Sequence, residues 1–272
     1  MKGGVNFRVL ILIAALLFVP LHAAELKPET SAAFDRYIKV TEDEMNQHLG
    51  FGDFLWMDRH IDKKSVVWLG QSTIIPQTTL DHGQAIEVPD GVIQHWLGLV
   101  YLEKATLDKV STALQNFNEY HNMIPLQIMD SKTTKHEGDQ SEAFLRLFKK
   151  QVSAVVLNVK ETATYKMLDP SRAVITCRST HIGEVERPKD KKRLDEEREA
   201  DDSAGYLWRM NTYLRMEQAD NGVYVEIEMI TLARQTGGLI NTSRFLTGFQ
   251  SFPHELTQGF IAALEYIYPN KR

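Results

Sequence analysis

Charged side chains recur at strand-like spacing among aromatic and aliphatic residues. Arg146 stands between Phe144 and Phe148 in an alternating stretch, and Arg178 lies in Thr176-Cys177-Arg178-Ser179-Thr180-His181. Arg209 and Arg215 share one strand face with Asn211 and Tyr213, while Trp208, Met210, Thr212, Leu214 and Met216 take the other. Glu226 and Glu228 share a face with Tyr224, opposite Val223, Val225, Ile227 and Met229. Such rows can do two things. On a solvated face they form cross-strand ion pairs, each contributing roughly 0.2–1 kcal/mol. Turned toward an apolar cavity, they fix the polar head of a ligand, and there each charge needs a partner, because isolated burial costs several kcal/mol. Arg146 is the best candidate for an inward-facing charge. Arg178 and His181 are expected on opposite faces of one strand, so at most one of them faces a cavity. If the cavity is catalytic, His95, His181, Tyr213 and Glu226 are the nominal acid or base groups.

No stronger chemical motif is present. The chain has no Gly-rich phosphate loop, no HExxH, no CxxC and no Gly-x-Ser-x-Gly elbow. Its 9 histidines are scattered, with no pair at helical spacing. Neither a metal nor a cofactor is expected. Cys177 is the single cysteine, so no intramolecular disulfide can form. In its strand-like setting it reads as a small buried hydrophobe.

The composition is that of a folded globular protein: 272 residues, 43% hydrophobic and 25% charged. This excludes a disordered tail, a collagen-like fibre and a disulfide scaffold. A net charge of −5 gives no basic face for nucleic acid. The N-terminus reads as a secretory signal over residues 1–24. Lys2 and Arg8 precede an apolar run at 9–19, Pro20 breaks it, and Ala23 and Ala24 follow. The run is too short to span a bilayer comfortably. An exported, periplasmic or secreted protein is therefore expected.

The elements that position the charged rows can be read from periodicity. Residues 25–50 predict a helix with Phe34, Tyr37, Ile38 and Met45 on one side. Residues 65–75 predict a strand, 76–83 a turn and 84–88 a short strand, closed by Pro89-Asp90-Gly91. Residues 25–88 are expected to form an accessory layer, since about 60 residues make a marginal core alone. The main domain is expected over 89–272. It starts with a strand at 92–102 and an amphipathic helix at 105–118. Six strands follow, at 124–135, 141–150, 152–168, 173–186, 204–218 and 222–234, several joined by turn-rich segments. A final helix at 251–268 presents Phe252, Leu256, Phe260, Ala263, Leu264 and Ile267 on one face. Residues 184–202 read as a solvated charged loop, and 234–248, with Gly237, Gly238 and Gly248, as a mobile connection. An antiparallel sheet of this size must bury one face, and the C-terminal helix is the apolar surface left to cover it. The space between them is the natural ligand site.

Four blocks carry a family resemblance: 88–96 (VPDGVIQHW), 144–150 (FLRLFKK), 205–211 (GYLWRMN) and 222–228 (GVYVEIE). With the element order, they resemble the START-like, or SRPBCC, superfamily of helix-grip folds, and more narrowly an uncharacterised exported bacterial branch of it. The resemblance covers about residues 88–268. It implies an α+β fold, with a curved antiparallel sheet wrapped around a long C-terminal helix. It also implies a cavity that holds a hydrophobic or amphipathic small molecule such as a lipid, and it brings no shared catalytic motif. On this reading Trp96, Phe144, Arg146, Phe148, Arg178, Trp208, Met210, Tyr213, Glu226, Glu228, Leu256 and Phe260 are the candidate ligand contacts. The protein is expected to be a monomeric carrier, in transient contact with membranes if it moves lipid. Two rivals remain: a cyclase- or hydrolase-type enzyme using the same cavity, and an interaction module whose cavity is filled by its own side chains.

Overall fold

Long alternating stretches joined by tight turns fold as a meander. Short loops favour antiparallel neighbours, and period two then gives each strand one face to bury. The computed structural model describes residues 26–50, 52–150, 154–199, 203–219, 221–235 and 251–269. The expected signal, 1–24, and the glycine-rich stretch with Gly237, Gly238 and Gly248 lie outside them.

In chain order the elements are α1 (Pro28–Gln47), a 3-10 turn (Trp56–Arg59), α2 (Ile61–Trp68), β1 (Thr73–Pro76), β2 (Leu80–Asp81), β3 (Gln84–Ala85), β4 (Gly91–Glu103) and α3 (Leu107–Gln115). A second 3-10 turn (Phe117–Glu119) leads into α4 (Tyr120–Met123). Then come β5 (Ile128–Glu137), β6 (Gln140–Lys150), β7 (Ala154–Asp169), β8 (Arg172–Glu184), β9 (Arg209–Ala219), β10 (Gly222–Arg234) and α5 (Phe252–Ile267). Eight strands form one antiparallel sheet in the order β1-β4-β10-β9-β8-β7-β6-β5, and β2 and β3 make a separate hairpin. The first long strand closes on the last one: Tyr101 pairs with Tyr224 and His95 with Ile230. This is the α+β helix-grip arrangement, with α5 lying across the sheet.

The inner face, toward α5, carries the largest core. Val100 and Leu102, Leu145 and Leu147, Leu157 and Val159, Ile175, Leu214 and Met216, and Val225 and Ile227 pack there. Phe252, Leu256, Phe260, Ala263 and Leu264 of α5 and Leu107, Val110, Leu114 and Phe117 around α3 complete it. Ile267, expected on the same apolar face, is left 42% exposed at the end of α5. Gly98 permits the close approach. A Cβ there would lie 2.6 Å from Thr257 Cγ2 and 2.9 Å from Ile261 Cδ1, so no other residue lets α5 sit this close to β4.

The outer face is covered too, but only in part. Phe34, Tyr37 and Ile38 of α1 pack on Tyr213, Ile230 and Leu232. Phe54, Leu55, Met57 and Val67 pack on Leu97, Leu99, Tyr101 and Tyr224. β9 and β10 are therefore buried on both faces over most of their length, whereas β5 and the far part of β7 alternate between buried and exposed.

Three elements differ from the sequence reading. The strand expected at 65–75 is helix α2 followed by the short strand β1. The run Val66-Val67-Trp68-Leu69 fits either period, and only Val67 finds a core, while Trp68 and Leu69 are 48% and 61% exposed. Gly70, at φ 87, ends the helix, its N–H donating to Val67 O at 2.9 Å. The strand expected from 124 starts at Ile128, because residues 120–123 turn once as α4. The strand expected from 204 starts at Arg209. Trp208 thus escapes the alternation and packs with the outer cluster, not beside Met210.

Candidate functional site

Among the spaces that border the sheet, three bear on the candidate site. The first is an apolar groove of about 360 Å³ between α5 and the α4–β5 loop, lined by Met123, Ile124, Leu126, Ala263, Tyr266 and Ile267. Leu126 and Tyr266 are 78% and 88% exposed on its rim. Gly259 lets α5 approach the α4–β5 loop closely at the groove, because a Cβ there would lie 2.5 Å from Ile124 Cγ2. The second lies inward of the groove, between sheet and α5. Here the expected cavity is largely filled by side chains, and the void bordered by Ile128, Leu145, Met210, Met229, Leu256 and Phe260 measures about 20 Å³. That holds roughly one water. Tyr120 and Phe260, with rings edge-to-face at 5.1 Å, stand at this void, next to the groove residues Ile124 and Ala263.

The third space is polar, about 120 Å³, and lies on the outer face beneath the N-terminal layer. Thr41, Arg59, Thr79, His95, Arg215, Glu226 and Glu228 line it. The sheet's charged row is tied into that layer. The Glu226 carboxylate accepts the backbone N–H groups of Trp56 and Met57, both at 2.9 Å. Burial pushes its pKa up to about 7, against the opposing pull of those two donors. Arg215 donates to His48 O at 2.9 Å and lies 4.4 Å from the centre of the Phe54 ring. Its pKa is lowered, first by burial. His95 Nε2 meets Glu228 Oε1 at 2.5 Å, and its Nδ1 lies 3.0 Å from the Tyr37 hydroxyl, which accepts the Thr79 N–H.

The candidate contacts therefore divide by face. Met210, Leu256 and Phe260 border the inner void. Trp96 faces α5, its ring 4.8 Å from that of His254. The others lie on the outer face, and the expectation that Arg146 points into the cavity is corrected. Leu145 and Leu147 take the inner side of β6, so Phe144, Arg146 and Phe148 take the other. Arg146 Nε donates to Asn158 Oδ1 at 2.9 Å, and its guanidinium pairs with Asp195. Residues 184–199 are thus a tethered loop rather than a freely solvated one. The Asn158 amide also donates to Leu194 O at 2.8 Å, and Val185 bridges Glu197.

Arg178 and the Tyr213 hydroxyl both donate to Glu42 Oε1, at 2.5 and 2.6 Å. The Tyr213 hydroxyl is pushed well above its ordinary pKa, mainly by burial. Arg178 and His181 share the outer face, contrary to expectation. The register with β7 shifts between Lys160 and Glu161, and Ile182 returns to the inner core. His181 meets Glu197 at 2.6 Å. The four nominal acid/base groups, His95, His181, Tyr213 and Glu226, all lie on the side away from α5.

The acidic side chain at the inner void, among the described residues, is one not singled out above. Glu161 is 4% exposed, borders the void, and has its pKa raised by burial to about 7. Its signal was in the alternation: Val155, Leu157, Val159 and Ala163 mark the inner row, and 161 belongs to it. Beside it, burial raises the pKa of the Cys177 thiol and the Tyr120 hydroxyl.

By sequence the chain matches no family model and no curated protein. It is similar in shape to several solved structures. One is a STAR-related lipid transfer protein from Xanthomonas axonopodis, with 15% identity and a TM-score of 0.44 over 66% of this chain and 97% of that one. Another is the Zhui aromatase/cyclase from a Streptomyces species, with 13% identity and a TM-score of 0.44 over 65% and 94%. A third is a human lipid transfer and protein localization domain, with 8% identity and a TM-score of 0.43 over 79% and 98%. The fold stands on the chain's own connectivity. With β4 closing on β10, a six-strand meander from β5 to β10 and α5 lying across the inner face, the chain has the START-like helix-grip fold.

Proposed function

We propose that the protein binds a hydrophobic or amphipathic small molecule along α5, as an exported carrier or binding protein. The observation that carries this reading is the apolar groove of about 360 Å³ between α5 and the α4–β5 loop. Its size falls within the range of small-molecule sites, about 300–1,000 Å³. It leads toward an inner face made of aliphatic and aromatic side chains, and movement of α5 or of the Tyr120–Phe260 pair would join groove and void. An acyl chain or fused-ring skeleton suits such walls, at about 25 cal/mol per Å² of apolar area buried. Export rests on the 1–24 pattern. No helix among the described residues is long and apolar enough to cross a membrane.

The test is native mass spectrometry of the mature full-length protein, followed by organic extraction. A stoichiometric co-purifying lipid or other apolar molecule supports the reading. A clean apo mass that stays unchanged after incubation with phospholipid vesicles overturns it. The filled interior favours a second reading, an interaction module that uses the exposed rim of Leu126 and Tyr266. A protein partner captured by the wild type and lost in Leu126→Asp would favour that one.

A further inference from the structure

Glu161 lies on β7 opposite a β-bulge in β8, where Thr180 is the extra residue, and its row is otherwise made of Val155, Leu157, Val159 and Ala163. Its neighbours across the void are Tyr120, Cys177, Met210, Thr212 and Phe260. The Tyr120 hydroxyl is used elsewhere, donating to Leu114 O. Among the described residues no hydrogen bond or ion pair reaches the Glu161 carboxyl. By contrast, Glu226, another deeply buried carboxylate, accepts two backbone N–H groups. A buried carboxyl without donors costs stability, and a leucine in the same place would not incur that cost. Glu161 borders the void of about 20 Å³ inward of the groove, the space that movement of α5 or of the Tyr120–Phe260 pair would open to a ligand entering from the groove.

We propose that Glu161 is the polar anchor of the α5-covered cavity, and that the ligand carries a hydrogen-bond donor, a hydroxyl or an amine, at its buried end. This rests on the ligand-binding reading and narrows it. An ionised carboxylate accepts an O–H or N–H strongly. It repels a fatty-acid carboxylate or a phosphate brought against it in an apolar enclosure. The site therefore selects neutral or cationic amphiphiles over anionic ones.

The experiment compares oleyl alcohol with oleic acid, two probes that share a chain and differ in the head. Both are titrated against the full mature protein at about pH 8, where Glu161 is ionised. Wild type is expected to retain the alcohol about tenfold or more tightly than the acid. Glu161→Leu is expected to bind both without preference and to melt at a higher temperature than wild type. Glu161→Gln, nearly isosteric, repeats the comparison if the Leu variant does not fold, and is also expected to lose the discrimination. Equal binding of the two probes by wild type, or a preference that survives in the variants, overturns the anchor and leaves the ligand-binding reading standing. Binding of neither probe overturns both. A Leu variant that melts lower than wild type identifies a structural carboxyl, and that too overturns the anchor.

Discussion

At the scale of single residues, two buried carboxyls, Glu226 and Glu161, stand in different settings. Glu226 is held by the N–H groups of Trp56 and Met57, so it fastens the N-terminal layer to the sheet. Glu226→Ala leaves those two donors without their acceptor and removes the negative charge that acts on the nearby Arg215. Unfolding by urea is expected to show a loss of roughly 3–5 kcal/mol, and Glu226→Gln a smaller one. Both Glu226 and Glu161 have pKa values raised to about 7 by burial. A raised acid binds more protons folded than unfolded, so its contribution favours the fold at low pH and is lost as pH rises. Stability from these two groups is therefore expected to fall between about pH 4.5 and 7 and then level off. Denaturant titrations across that range check this, and Glu161→Leu should flatten part of the slope. Glu161 was legible in principle, as one acid in an apolar period-two row. Its lack of a partner was not, because that depends on β5, β8 and α5 arriving without a donor.

At the scale of elements, α5 and its seat decide access to the interior. Gly98 and Gly259 are the two places where α5 touches its neighbours too closely for a side chain. Gly98→Val is expected to push α5 off β4, costing about 1–3 kcal/mol in thermal or urea unfolding and increasing uptake of an apolar fluorescent probe. Phe260→Asp puts a charge against Tyr120 at the centre of the α5 face. It is expected to abolish folding or ligand uptake, and an unchanged melting temperature with unchanged uptake would refute the role given to this helix. α5 is also tied at its start, where Lys149 pairs with Glu255 and Ser251. The helix itself was plain in the sequence, because Phe252, Leu256, Phe260 and Leu264 repeat every four residues. α2 was not, since four apolar residues satisfy a strand and a helix equally and only Val67 found a buried place.

At the scale of the whole molecule, the sheet is covered on both sides where β4, β9 and β10 meet. α5 covers the inner face, and residues 26–88 cover the outer. Without the N-terminal layer, Leu97, Leu99, Tyr101, Ile230 and Leu232 would face water beside Glu226, Arg215 and His95. A chain beginning at Pro89 is expected to aggregate or to melt far below the chain beginning at Glu25, as circular dichroism and light scattering would show. If the shorter chain were equally stable and soluble, the outer layer would be dispensable. Intact mass of exported material is expected to start near residue 25 and would be contradicted by retention of Met1.

Local chemistry along the chain was enough to determine the antiparallel strands from β6 onward, the turn-rich connections, α3, α5 and the order that makes a helix-grip fold. Side-chain period and turn residues act over a few positions, and those elements obey them. The same alternation showed that Glu226, Glu228, Arg215 and Tyr213 share a side of their strands. It did not show what covers that side. Period two says which residues share a face, and only the packing of distant segments says whether that face meets water, a helix or a cavity. Tertiary structure therefore decided that the charged row lies neither in solvent nor in the α5 cavity but under the N-terminal layer. It also placed His181 beside Arg178 through one bulge, filled the interior to a void of about 20 Å³, and left Glu161 there without a donor.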